Sequence, residues 1–481
     1  MLAIDAARAP KAWERVSTLA GKYNLSDEIF ESVLHEIKAV ERAAASRSGI
    51  SHLLNHRTRP SRPPPPSPSP SPPSAPTILA PPPPAGQSRR VRVHESTSDT
   101  RASTAQELPA VPRLRLAFWE HQLTERGSTL ALYDYADFAE RILGHRVVLV
   151  MYKGNAPLNH PLAVEKVRRR FGNETVVGMN HSDRSTNNVT ELLINRNVSH
   201  VYIIKHGGVN SYPMFTQPGA RHRAGAMVPR GVRTLVHCIF DAREPHGDVY
   251  AKISPRVHGE GVPIVPHMVR PLTVGGNSSG GDVAMPDLRS ELGIPPNATV
   301  FARYGGSDSF NIGFVHKVLC RMALDAQHNA TGAPYFLFMN TPAFCMNSYT
   351  TRHLDHLIRL PASTDPARKS AFVRAADAMV HARAEGETFG LAIAEFSAAN
   401  KPILANCCPY GAQGLHRDDR FHLDTLGERA ITYKDEATLR HALLSFDRNA
   451  AAARGAYWNA YREFEPSEVM RTFSRVFFKG V

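Results

Sequence analysis

Between residues 114 and 240, short apolar runs alternate with amphipathic stretches. The runs LRLAFW (114–119), RVVLVMY (146–152), ETVVGM (174–179), HVYIIK (200–205) and RTLVHCIF (233–240) read as strands covered on both faces. Helical periodicity occupies 128–143 and 162–171 between them. A proline- and glycine-rich passage at 263–281 interrupts the pattern. It then resumes, with strands expected at 299–305, 334–340, 354–362, 378–383 and 401–407, and helices at 312–326 and 391–399. Such alternation is the sequence form of βαβ units and parallel sheets. An α/β protein with two parallel-sheet arrays follows, leaving a ligand crevice beyond the C-terminal ends of their strands.

Residues before 111 follow different rules. Leu19, Ile29, Val33, Leu34, Ile37 and Val40 recur near helical spacing, so residues 1–50 are expected to be helical. The stretch 60–84 holds 14 prolines in 25 residues. Each proline fixes φ and removes a donor, which predicts an extended, disordered linker over 51–110. A spacer is the first expectation for it, and a PxxP ligand for a partner domain the second. Two Rossmann-like domains are expected beyond it, at 111–267 (acceptor) and 268–465 (donor). An amphipathic C-terminal helix is expected within 466–481, placed to cross back to the first domain.

Composition adjusts this picture in three places. The net charge is +13, but seven arginines and no Asp or Glu lie between residues 47 and 94. The basic excess is therefore largely local, and no nucleic-acid signature is present, so polynucleotide binding is disfavoured. The basic run KVRRR (166–170) reads as a solvated helix face, with an anionic acceptor or membrane surface as its alternative. Cys238, Cys320, Cys345, Cys407 and Cys408 show no CxxC pair and read as reduced thiols. No basic-then-apolar leader opens the chain, and no apolar run nears ~18 residues. A cytoplasmic protein with no transmembrane span, at most peripheral to a membrane, is expected, with the Asn-x-Ser/Thr triplets at Asn173, Asn188 and Asn197 arising by chance.

The chemistry concentrates in DAMVHARAEGETFGLAIAEFSAANKPILAN (377–406). An expected strand runs through a polar loop into a helix, so the helix N-terminus, with its unpaired N–H groups and positive dipole end, meets the mouth of the sheet. Gly390 allows close backbone approach to a ligand. Glu387 precedes the helix and Glu395 lies more than a turn inside it. Carboxylates on both flanks of a backbone anion site suit a sugar joined to a diphosphate. His381 and Arg383 are expected as neighbours of this pocket, and Thr388 lies within the motif.

The block Glu387, Phe389, Gly390, Glu395, followed by Lys401-Pro402-Ile403-Leu404, resembles the donor-site signature of family-4 retaining glycosyltransferases of the two-domain GT-B fold. The resemblance implies that Glu387 contacts the transferred sugar and Glu395 the ribose hydroxyls, with amides around Phe389, Gly390 and Leu391 supporting phosphate or sugar. It also implies an Arg and a following Lys that clamp the diphosphate. Arg303 fits the first. The Lys is missing, and Gly305 and Gly306 offer backbone donors instead. Gly127 and Ser128 correspond to the glycine loop of the first domain, while Arg126 is left between ligand and solvent. A His near the end of a first-domain strand approaches the reacting sugar in that family, which makes His237 and His206 candidates.

The expected activity is hexosyl transfer with retention, from a UDP- or GDP-sugar to a glycan, protein or lipid hydroxyl. The diphosphate leaving group would accept the proton, with no metal. No GxGxxG follows the first strand, which disfavours a nicotinamide or flavin enzyme. A catalytically idle, glycosyltransferase-like scaffold remains the alternative.

Overall fold

The computed structural model describes residues 113–179, 186–208, 228–270, 272, 287–328, 332–345, 354–408 and 419–479, with side chains in the second stretch from Val189 onward. The helices expected within 1–50 and the linker expected at 51–110 lie outside the described residues.

Two six-stranded sheets, parallel throughout, organise the rest. The N-lobe sheet contains β1 (Arg115–Glu120), β2 (Arg146–Lys153), β3 (Val176–Met179), β4 (His200–Lys205), β5 (Arg233–Cys238) and β6 (Val249–Lys252), in the order β3-β2-β1-β4-β5-β6. Helices α1 (Gly127–Arg141), α2 (Pro161–Phe171) and α3 (Thr186–Asn195) join its first four strands. β4 is buried at every position and β1 at five of six. Strands covered on both faces have no polar positions to alternate, which is why these runs read clearly.

The C-lobe sheet contains β7 (Val300–Arg303), β8 (Tyr335–Met339), β9 (Leu357–Leu360), β10 (Ala378–His381), β11 (Ile403–Asn406) and β12 (Ala430–Tyr433), in the order β12-β11-β10-β7-β8-β9. Its helices include α4 (Gly313–His328), α5 (Pro366–Ala375), α6 (Leu391–Ala398) and α7 (Glu436–Leu444). Asp365 caps α5 by accepting from Ala367 N, and Pro366 fills the first helical position, where a missing N–H costs nothing.

The last helix, α8 (Pro466–Phe477), packs on the N-lobe. Phe473 stacks on Tyr135 at 5.0 Å between ring centroids, and Phe477 meets His237 edge-on at 5.6 Å. At the crossing between lobes, Arg270 pairs with the buried carboxylates of Asp134 and Asp137 at 2.7 and 2.8 Å. Tyr135 OH donates to Pro266 O at 2.7 Å, and Val269 N to Phe464 O at 2.7 Å.

The cysteines depart from expectation. Cys320 on α4 and Cys345 after β8 form a disulfide, with Cα atoms 5.5 Å apart, while Cys238, Cys407 and Cys408 are free. The 25-residue separation carries no spacing signal, because the partners meet only once β8 is paired beside β7. Among the described residues no helix is long and apolar enough to cross a membrane.

Candidate functional site

A pocket lies where the lobes face each other, walled by segments beyond the C-terminal ends of the strands. The N-lobe contributes the start of α1, with Arg126, Gly127, Thr129 and Leu130, together with Tyr133 and Lys166. The C-lobe contributes the Gly305–Gly306 loop after β7, Thr364 and Lys369, and Leu391, Ala392 and Glu395 of α6. Two helix N-termini from opposite lobes therefore meet at one place, each presenting unpaired amides and a positive dipole end. Gly127 makes the approach possible, since a Cβ there would stand 3.3 Å from Leu391 Cδ1 across the cleft. Gly390 caps α6 with φ +83°, a left-handed conformation that side chains resist. Arg126 reaches across to Asp308 at 3.1 Å, closing the pocket rim with an exposed ion pair.

Glu395 lines this pocket, only 5% exposed. Its carboxylate accepts from Lys369 Nζ at 2.8 and 3.0 Å and from the Tyr304 hydroxyl. Lys369 comes from α5 and brings to the pocket the cation that the sequence does not supply after Arg303. Lys166, the first residue of KVRRR, lies over the Tyr133 ring at 4.5 Å and also lines the pocket. Its pKa is lowered by burial and by Lys369, with Asp134 and Glu395 acting in the opposite direction. The rest of that run divides: Arg168 and Arg169 are exposed, and Arg170 binds Asp137 and Glu140. The expectation of a solvated face thus fails at Lys166.

Glu387 stands beside this pocket rather than in its wall. It accepts from Arg383 Nη1 at 2.9 Å and from His381 Nε2 at 3.3 Å. Burial pushes its pKa up, but the Arg383 guanidinium and the His381 contact outweigh burial and hold it at about 2. Glu387 is therefore a fixed anion at any physiological pH. His381, 5% exposed, packs against His422 with ring centroids 4.8 Å apart. Thr388 is buried, and the Phe389 ring is core, packed against Phe421, Tyr461, Phe464 and His267.

Arg303 is 3% exposed, and its guanidinium is occupied by its own lobe. Nη1 donates to Thr341 Oγ1 at 2.6 Å; Nη2 donates to Gly306 O and Ser309 Oγ, each at 2.6 Å. Burial lowers its pKa to about 10, which leaves it charged at neutral pH. Its geometry holds the Gly305–Gly306 loop in shape.

The two histidines diverge. His237 is fully buried: Tyr202 OH lies 2.7 Å from Nδ1, and Nε2 lies 2.8 Å from Val265 O. With both ring nitrogens engaged in the core, it does not reach the cleft, and no residue of β5 lines the pocket. His206 is exposed at the end of β4, 5.3 Å from the Phe240 ring, and lies outside the pocket wall. Ser128 is half-buried on the first turn of α1.

Sequence reasoning passed over Glu120, the last residue of β1, buried beneath the start of α1. Burial raises its carboxyl to about 7, partly offset by the Ser128 and Thr129 hydroxyls. A raised acid stabilises the fold fully below the unfolded pKa of 4.5 and loses that contribution as pH rises through about 7. The shift corresponds to about 3 kcal/mol. Glu120→Gln is therefore expected to match the wild type near pH 4.5 and exceed it in stability at pH 8, measured by urea unfolding. A difference independent of pH would refute this assignment.

Among the described residues no group of three or more His, Cys, Asp and Glu side chains converges as a metal site. No protein-family model matches the chain, and no curated protein matches its sequence. Solved structures share its fold. A crystal structure of a glycosyltransferase from Rickettsia africae ESF-5 is similar over 77% of this chain and 100% of its own, with a TM-score of 0.50 at 13% identity. Anabaena HepE, crystallised with UDP-glucose, is similar over 76% of this chain and 99% of its own, with a TM-score of 0.51 at 12% identity. The same protein with UDP and glucose gives the same values. At these identities the likeness is one of architecture: the fold is GT-B.

Proposed function

We propose that this chain is a glycosyltransferase that moves a sugar, with retention, from a nucleotide-diphosphate sugar to an acceptor hydroxyl. The observation that carries the reading is the convergence of two helix N-termini, Lys166 and Lys369 on one inter-lobe pocket bordered by Glu395. Helix amides and lysines favour a diphosphate, and a buried carboxylate beside them favours hydroxyl groups. UDP-sugars are the first donors to consider, because HepE was crystallised with UDP-glucose.

In this reading the C-lobe, 268–465, holds the donor and the N-lobe, 111–267, the acceptor. Glu395 takes the ribose hydroxyls, and the amides of Leu391 and Ala392 take phosphate or sugar. Glu387, ionised and adjacent, faces the transferred sugar. Arg303 acts as a positioning residue through the Gly305–Gly306 loop. The acceptor oxygen attacks the anomeric carbon on the face from which the diphosphate departs, and its proton passes to a diphosphate oxygen. Catalysis is then orientation plus neutralisation of charge on the leaving group, without a metal. The segment 1–110 would serve a partner rather than the chemistry.

A ligand that binds the native state raises its stability, by about 2.7 kcal/mol at a hundred times Kd. UDP or GDP at millimolar concentration is therefore expected to raise Tm by several degrees, and the matching sugar nucleotide to be hydrolysed or consumed with an acceptor. No shift with any nucleoside diphosphate would sink the proposal. The idle-scaffold alternative draws on the occupied guanidinium of Arg303; it predicts a thermal shift without turnover of any sugar nucleotide.

A further inference from the structure

Asn-x-Ser/Thr triplets without an intervening proline occur at Asn24, Asn173, Asn180, Asn188, Asn197, Asn277, Asn297 and Asn329. With 21 asparagines and 58 serines and threonines in 481 residues, composition alone gives about two or three. The side chains of Asn24, Asn180, Asn188, Asn277 and Asn329 lie outside the described residues. The other three occupy the same structural situation. Each asparagine is exposed, and each sits in a turn that leads into a strand: Asn173 before β3, Asn197 before β4 and Asn297 before β7. The turns are closed by Thr175 N to Gly172 O at 3.2 Å, Asn197 N to Ile194 O at 2.8 Å and Ala298 N to Pro295 O at 3.0 Å. Arg196 donates to Glu174 O at 2.9 Å, which ties the first two turns together.

Position matters as much as exposure. The functional pocket lies beyond the C-terminal ends of the strands, whereas these turns precede strand N-termini. None of the three asparagines lines that pocket. A bulky, hydrated substituent on any of them would leave the cleft open.

A second observation is independent of the triplets. The Cys320–Cys345 disulfide joins α4 to the segment after β8. Stable structural disulfides belong to oxidising compartments and are rare where glutathione keeps thiols reduced. The disulfide departs from the reduced thiols expected from the sequence.

We propose that Asn173, Asn197 and Asn297 are N-glycan acceptors and that the folded chain resides in an oxidising, glycosylating lumen or beyond it. The donor class is an oligosaccharide linked to a polyprenyl diphosphate. Its C1–O bond to the diphosphate breaks, a C1–Nδ2 bond to the asparagine forms, and one amide proton leaves through the transferase base. The disulfide forms by exchange with the disulfide of a thiol oxidase, Cys320 and Cys345 giving up two electrons and two protons. This proposal is independent of the glycosyl-transfer reading, since none of these groups touches the pocket.

The test is peptide mass spectrometry on full-length protein purified from its own cells, with free thiols alkylated before reduction. An amidase that cleaves N-glycans, used in heavy-oxygen water, marks each occupied asparagine as labelled aspartate. Label at the three positions is expected, with Cys320 and Cys345 protected from alkylation. Asn173→Gln, Asn297→Gln and Asn197→Asp, the last keeping a residue that tolerates the left-handed turn at φ +48°, should each remove one glycan from the intact mass. Thr175→Ser should keep its glycan, which separates loss of the acceptor triplet from misfolding. Unlabelled asparagine at all three positions, or full alkylation of both cysteines before reduction, overturns the proposal.

Discussion

Converting the Lys369–Glu395 pair to Met and Gln together is expected to leave the protein near wild-type stability while glycosyl transfer stays at least about a hundredfold down. The two side chains are only 14% and 6% exposed, so each ion is held by the other rather than by water. Removing one partner strands a buried charge, at a cost of roughly 3–5 kcal/mol. Lys369→Met and Glu395→Gln alone should therefore both lower Tm. The double variant is neutral and close in volume, and the amide oxygen introduced by Glu395→Gln would still accept from the Tyr304 hydroxyl. A purely structural pair would recover activity along with stability in the double variant. A pair that grips a diphosphate and a ribose would not, because the lost interactions are with the ligand. Steady-state kinetics beside thermal unfolding, on the two single variants and the double, separates the outcomes. Recovered transfer in the double variant would remove Glu395 and Lys369 from the site.

The same pair illustrates what the sequence could and could not disclose. Glu395 was legible because a short motif places it on a helix that starts at the sheet edge. Lys369 was not, because α5 (PARKSAFVRA) has no clear apolar stripe: it buries Ser370, Ala371, Phe372 and Val373 consecutively between its own lobe and the cleft. Its cation arrives 66 positions after Arg303, where the resemblance led one to look for a lysine close by. Lys166 was hidden differently, inside a basic run whose charge suggested solvent on every side. His237 was correctly expected on β5, but it lies inside the strand rather than beyond its end, and an apolar run buried on both faces does not show where the strand stops. β6 (VYAK) and β12 (AITY) escaped notice because they are edge strands, too short and too polar to stand out.

Between pH 7.5 and pH 5 the protein is expected to lose a large part of its stability, through histidines that fold uncharged. Burial lowers His145 and His200 to about 4, and His237 and His422 to about 3, from an ordinary value of 6.5. His267 is lowered in the same way. A depressed histidine stabilises the fold fully above the unfolded pKa; that contribution drains away as pH falls from 6.5 towards the folded value. At pH 5 each of the four has lost about 2 kcal/mol, or about 8 kcal/mol together, against a total stability of roughly 5–15 kcal/mol. Glu120 works against this trend, since it is protonated in the fold and ionised in the unfolded chain at that pH. Counting His145, His200, His237 and His422 against Glu120, the net uptake at pH 5.5 is between about two and three protons on unfolding, and His267 adds to it. The location of the groups also sets the order of events. His145 and His200 meet Phe478 edge-on at 4.8 and 5.5 Å, and His237 meets Phe477, so three of them lie under the C-terminal helix. Protonation should release α8 from the N-lobe before either sheet opens. Hydrogen exchange across a pH series would then show amides of 466–477 losing protection first, while urea unfolding gives the proton uptake from its pH dependence. Stability that stays flat from pH 7.5 to 5 would mean that these rings are hydrated in the native state and that the packing of α8 on the N-lobe is looser than its aromatic contacts imply.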